Sequence, residues 1–118
     1  MENFKKGLLE IVISKKGKTT VMTWIGQSNA QNPSKLLRPY FEDVINQLEN
    51  SEIAIDFSKL KYMNSSTVFP IIQFFKKLDK NGIDTVASYD AESSWQAPSF
   101  RAMNMLSSVI KHLKIKAK

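Results

Sequence analysis

Four small side chains that carry hydrogen-bonding oxygens, Asn64, Ser65, Ser66 and Thr67, stand in succession just ahead of an apolar series at helical spacing, Val68, Ile71, Ile72, Phe75 and Leu78. Such oxygens accept hydrogen bonds from the backbone N–H groups that a helix leaves free in its first turn. A hydroxyl there is also open to a second chemistry, because a phosphate added to it faces those N–H groups and the positive end of the helix dipole. Capping alone, worth on the order of 1 kcal/mol per side chain, is the commoner use of these residues.

Other chemistry has less to stand on. The chain has no cysteine, which excludes disulfides and thiolate metal sites, and its single histidine, His112, cannot build a zinc cage without several converging carboxylates. No metal and no cofactor is expected. Gly17-Lys18-Thr19 resembles the end of a phosphate-binding loop, but Val12 holds the place of the required first glycine and the segment lies between two strands. No carboxylate pair and no nucleophile with a nearby histidine stands out, so the chain is not expected to be an enzyme. His112, among lysines near the end, reads as a solvated helix residue.

The elements that position these residues follow from periodicity. Leu8 to Ser14 and Thr19 to Ile25 are β-branched runs joined by Lys-Lys-Gly-Lys, a hairpin in which Gly17 supplies the positive φ and Met22 and Trp24 point into a core. Leu37, Phe41, Val44, Ile45 and Leu48 predict a helix ending near Asn50, its start left open by Pro33 and Pro39. Ile53 to Phe57 reads as a buried central strand. The second helix then has its cap near Ser66 or Thr67, since Pro70 fits only among the first positions, and it stops at Asn81-Gly82. Ile83 to Tyr89 suits another strand. Phe100, Met103, Leu106, Ile110 and Leu113 give a third helical stripe, after which the last residues fray or Leu113 to Ala117 adds an edge strand. The order β-β-α-β-α-β-α calls for parallel pairing and right-handed crossovers in one α/β domain over residues 1–118.

The formal charge of +6 raises the question of a polyanion partner. The lysines gather at the margins, Lys5 to Lys18 and Lys111 to Lys118, with no aromatic platform among them, so solvation of terminal segments is the expected use and a basic nucleic-acid-binding domain is the rival. The opening lacks a signal peptide's apolar core and no apolar run is long enough to span a bilayer, which predicts a cytoplasmic protein without a membrane partner. Phe69 and Phe74 fall off the stripe of the second helix. Trp95, in the loop ahead of Phe100, combines with Arg101 in a segment suited to a partner or to pinning the loop.

Glu52-Ile-Ala-Ile-Asp-Phe-Ser-Lys-Leu-Lys-Tyr-Met-Asn-Ser-Ser-Thr-Val-Phe-Pro-Ile-Ile, followed by Phe75-Lys-Lys-Leu-Asp-Lys-Asn-Gly, resembles the STAS domain of the anti-sigma factor antagonists. In that family a central strand ending in an acidic residue leads through a short apolar connector to Asp-Ser-Ser-Gly at the start of a helix. Here Asp56, Tyr62-Met63 and Asn64 to Thr67 hold those places, with Asn64 for the usual aspartate and Thr67 for the usual glycine. Related bacterial regulatory phosphoproteins have an Asn-Ser/Thr-Ser version of the turn. The resemblance implies a STAS-like mixed sheet of four to five strands with helices packed against it. It implies a phosphorylation-regulated protein-binding module in bacterial signalling, in which a serine/threonine kinase-like regulator and a phosphatase set the state of one serine. The matching position is Ser66, with Ser65 and Thr67 as substitutes in a displaced register. Partner contacts are expected from Asn64, Phe69, Trp95 and Arg101, and a homodimer is left open. Without phosphorylation, a constitutive STAS-like scaffold would remain.

Overall fold

The computed structural model describes residues 1–48 and 52–118, with the side chains of 106 and 107 excepted, so the expected helix end near Asn50 and the Leu106 side chain lie outside the described residues. The hairpin forms as read: β2 (Leu9–Lys16) and β3 (Thr19–Ser28) pair antiparallel, with Gly17 at φ 63° in the connection. A short strand that the sequence did not announce, β1 (Phe4–Lys6), lies on the outer edge of β2. Helix α1 (Pro33–Leu48) starts at a proline, whose missing N–H is no loss at a first position, and Asn32 Oδ1 accepts from Lys35 N at 3.3 Å. Pro39 lies inside it without ending it.

Strand β4 (Glu52–Asp56) pairs parallel with β3, β6 (Thr85–Tyr89) with β4, and β7 (Leu113–Ala117) with β6. The expected connector is itself a strand, β5 (Leu60–Met63), which pairs parallel with the last residues of β3 beyond a register shift at Gly26 and Gln27. The sheet therefore holds seven strands among the described residues rather than four to five, in the order β1-β2-β3-β4-β6-β7 with β5 beside β3.

Helix α2 (Val68–Lys80) ends as Asn81-Gly82 predicts, Gly82 at φ 69° letting Ile83 N return to Leu78 O at 3.0 Å. The third stripe is interrupted. Helix α3 (Gln96–Asn104) gives way to a single 3-10 turn and then to β7, where Leu113 and Ile115 alternate with Lys114 and Lys116 as a strand requires. His112 consequently sits in the turn before β7, not on a helix facing water. Its backbone N–H donates to Asp79 Oδ1 at 2.8 Å and its ring Nδ1 lies 2.7 Å from the same oxygen, tying β7 to the end of α2. That backbone donor, with the ring behind it, holds the Asp79 carboxyl below the usual carboxylate range.

All three helices cover one face of the sheet. Trp24 of β3 meets Phe41 of α1 at 6.0 Å between ring centroids, Phe41 stacks on Phe74 of α2 at 4.2 Å, and Phe100 of α3 lies 4.8 Å from Phe57 and stacks on Tyr89. No described helix is long and apolar enough to cross a membrane.

Candidate functional site

The serine-rich turn forms where β3, β5 and α2 converge. Ser65–Thr67 make one 3-10 turn that runs directly into α2; the N-cap position of α2 itself is Thr67, as expected, but its side chain makes no capping bond, and the capping side chain is that of Asn64 at the head of the 3-10 turn. Asn64 is extended, at φ −75° and ψ 164°, and its Oδ1 accepts from Thr67 N at 3.1 Å and from Thr67 Oγ1 at 2.6 Å. Its amide nitrogen donates to Ala30 O at 2.9 Å, and its backbone N–H to Ser28 O at 2.9 Å.

These bonds fix the hydrogens. The donation to Ala30 orients the amide, so Oδ1 is the acceptor for Thr67. Thr67 thereby commits its one hydroxyl proton to Asn64, and Ser28 Oγ, 2.8 Å from Thr67 Oγ1, must be the donor in that contact. The two departures from the usual family motif are thus parts of a single network. An aspartate at 64 would have no hydrogen for Ala30 O, and a glycine at 67 no hydroxyl for Ser28.

Thr67 is 0% exposed and its hydroxyl is bonded on both sides, so it is corrected from substitute phosphosite to structural tie. Ser65 and Ser66 are exposed on the turn's outer side, and neither hydroxyl has a hydrogen-bond partner among the described residues. Asn64 is half-buried with its polar atoms engaged in the cap, which leaves it as a support for the turn rather than a free contact. The sequence placed four capping residues here; Ser28 and Ala30, which decide among them, lie 39 and 34 positions away from their partners and gave no local signal.

A Thr67→Val substitution keeps the shape and removes the hydroxyl. It is expected to lower stability by about 1–3 kcal/mol in urea unfolding, because Ser28 Oγ loses its buried acceptor, while Thr67→Ser retains most of the wild-type value. An unchanged midpoint for Thr67→Val would show that the network contributes nothing.

Phe69 lies on the first turn of α2, 57% exposed, whereas Phe74 is buried in the core. Phe69 and Pro70 form one wall of a groove between α1 and α2, with Ser34 and Arg38 on the other. Trp95 and Arg101 belong elsewhere. Trp95 is half-buried against the core and lines a separate shallow cleft with Ser58, Lys59 and Asp90, and Arg101 is exposed on α3; the cleft and the groove share no lining residue. Buried Gln96 closes that side, donating to Phe57 O and Leu60 O at 2.8 and 2.7 Å and accepting from Asp90 N at 2.8 Å. Asp56, at the end of β4, accepts from Ser58 N and Oγ and from Lys118 Nζ at 2.6 Å. Burial pushes its carboxyl up, but the Lys118 and Ser58 hydrogen bonds outweigh that and hold it below the usual range.

The fold is that of the STAS-type anti-sigma factor antagonists. Among solved structures, an anti-sigma factor antagonist from Mycobacterium paratuberculosis is similar over 92% of this chain and 85% of its own, with a TM-score of 0.62 at 14% identity. The antagonist SpoIIAA in its unphosphorylated form covers 92% of this chain and 86% of its own at TM-score 0.59 and 16% identity. The Bacillus cell fate determinant SpoIIAA in the phosphorylated form covers 89% of each at 0.60 and 18% identity. No protein-family model and no curated protein matches the sequence.

Proposed function

We propose that the chain is a phosphorylation-regulated protein-binding module whose switch is Ser66, set by a serine/threonine kinase-like partner and reset by a phosphatase. One observation carries the reading. The Ser66 hydroxyl is exposed and has no hydrogen-bond partner among the described residues, on a turn whose backbone is clamped from beneath by Asn64, Thr67 and Ser28, so a phosphate can be added without disturbing the fold. The phosphate would lie at the positive end of the α2 dipole, and the first turn of α2 contains no acid to oppose it. The likeness to an antagonist solved both with and without phosphate supports the same use of the fold. The role needs no catalytic step from this chain.

Fragment mass spectrometry of protein purified from its own cells is expected to find one phosphate on Ser66 and none in Ser66→Ala. Lasting absence of phosphate from both Ser65 and Ser66 would leave a constitutive scaffold.

A further inference from the structure

We infer that the groove between α1 and α2 docks an acidic segment of the protein partner that carries one apolar anchor. The regulation of this docking rests on the Ser66 reading above; the docking itself does not.

The groove is about 330 Å³ and its floor is apolar, made by the stacked rings of Phe41 and Phe74. Phe69 stands on its rim with more than half of its surface in water, the most exposed aromatic side chain among the described residues. Core packing does not explain it, because Phe74 and Phe75 already bury the inner side of α2. An exposed ring over a preformed apolar floor is the arrangement that binding anchors use.

The charge at the groove selects the occupant. Lys77 is neutralised by Glu42 at 2.9 Å across the two helices, whereas Arg38 makes no ion pair with a described residue. Both helices follow a strand of the parallel set and lead into the next, so they start at the same end of the sheet, and neither first turn contains an acid. Two positive helix ends and one unpaired guanidinium therefore bound the same half of the groove. A purely apolar occupant would bury Arg38 unpaired, at a cost. A second copy docked groove to groove about a two-fold axis would bring two unpaired Arg38 side chains and four positive helix ends into one interface, in a chain that already carries +6. An acidic segment answers both problems, with carboxylates toward Arg38 and an aromatic or aliphatic side chain on the Phe41–Phe74 floor.

Ser66 lies three residues before Phe69, on the neighbouring turn of the same helical face. A phosphate there sets about two negative charges beside the groove mouth and repels the acidic segment.

The test is a selection of phage-displayed random dodecapeptides on the immobilised chain, followed by fluorescence anisotropy with one enriched, labelled peptide. Enriched sequences are expected to be net acidic with an aromatic or long aliphatic residue. Affinity should fall about tenfold or more in Phe69→Ala, in Arg38→Glu and in Ser66→Asp. Both groove residues are exposed, so thermal unfolding of their variants should match wild type. Absence of enrichment, enriched peptides without an acidic excess, or an affinity unchanged by Phe69→Ala and Arg38→Glu would each overturn the docking site. If those two variants weaken binding and Ser66→Asp does not, the groove stands and the phosphate control falls. If Ser66 proves phosphorylated and no peptide is enriched, the switch stands and the groove falls.

Discussion

Replacing Phe57 with alanine is expected to lower the free energy of unfolding by about 3–5 kcal/mol, the range for deleting a buried ring that leaves a cavity. Phe57 is 1% exposed and its ring lies 5.1 Å from Trp24 and 4.8 Å from Phe100. It therefore joins the part of the core under α1 and α2 to the part under α3. Removing it separates two clusters that each sit on different elements, so neither can collapse freely into the space. Urea unfolding would measure the loss, and Phe57→Leu should recover a large share of it. A change below about 1 kcal/mol would mean that Trp24 and Phe100 close the gap, contrary to the partial relaxation usual in close-packed cores.

Gly26→Ala should follow closely, with a loss of about 3 kcal/mol from two sources. Its backbone is at φ 90°, where a side chain adds about 1–2 kcal/mol of strain. A Cβ at this position also runs into the Leu8 carbonyl, an overlap of the kind that costs about 1–3 kcal/mol. That carbonyl cannot swing aside cheaply, because it accepts the Gln27 N–H at 3.0 Å. The irregularity at Gly26 and Gln27 is what aims the last residues of β3 at β5 and sets Ser28 under Thr67. Faster hydrogen exchange at the Thr67 amide is thus expected in Gly26→Ala, beyond the general loss of stability. Uniform acceleration across the chain would separate the bulge from the cap.

The hairpin, the buried strand β4 and the helix stop at Asn81-Gly82 were legible because each depends on neighbours in sequence: alternation, a short apolar run, a glycine at positive φ. Strand β5 was not. Only Leu60 and Met63 of its four residues are buried, and it pairs with β3 just past the bulge, so no period of two appears. In the last segment Phe100 and Met103 have helical spacing and Leu113 and Ile115 have strand spacing; the edge strand over Leu113 to Ala117 was one of two readings the sequence left open, and its pairing with β6, some twenty-eight positions away, decides for it. The turn that carries the candidate site was legible in outline for the same local reasons, as a run of capping residues ahead of a helix. Which of them caps, which is buried and which is open depended on Ser28 and Ala30, and contacts across so much intervening chain leave no trace in spacing. The environment of His112 was hidden likewise, since Asp79 is 33 positions from it.

The parallel pairings of β3 with β4, β4 with β6 and β6 with β7 each join residues roughly thirty positions apart, whereas the two antiparallel pairings close over short connections. Chain-closure entropy makes the former slow to assemble and the latter quick. Because the seat of the serine turn is built from the end of β3 and from β5, it is completed only when distant segments have met. A nascent or partly unravelled chain thus presents Ser65 and Ser66 on a loose strand in place of the shaped turn, and any molecule that reads the turn by its shape must wait for the whole sheet to close.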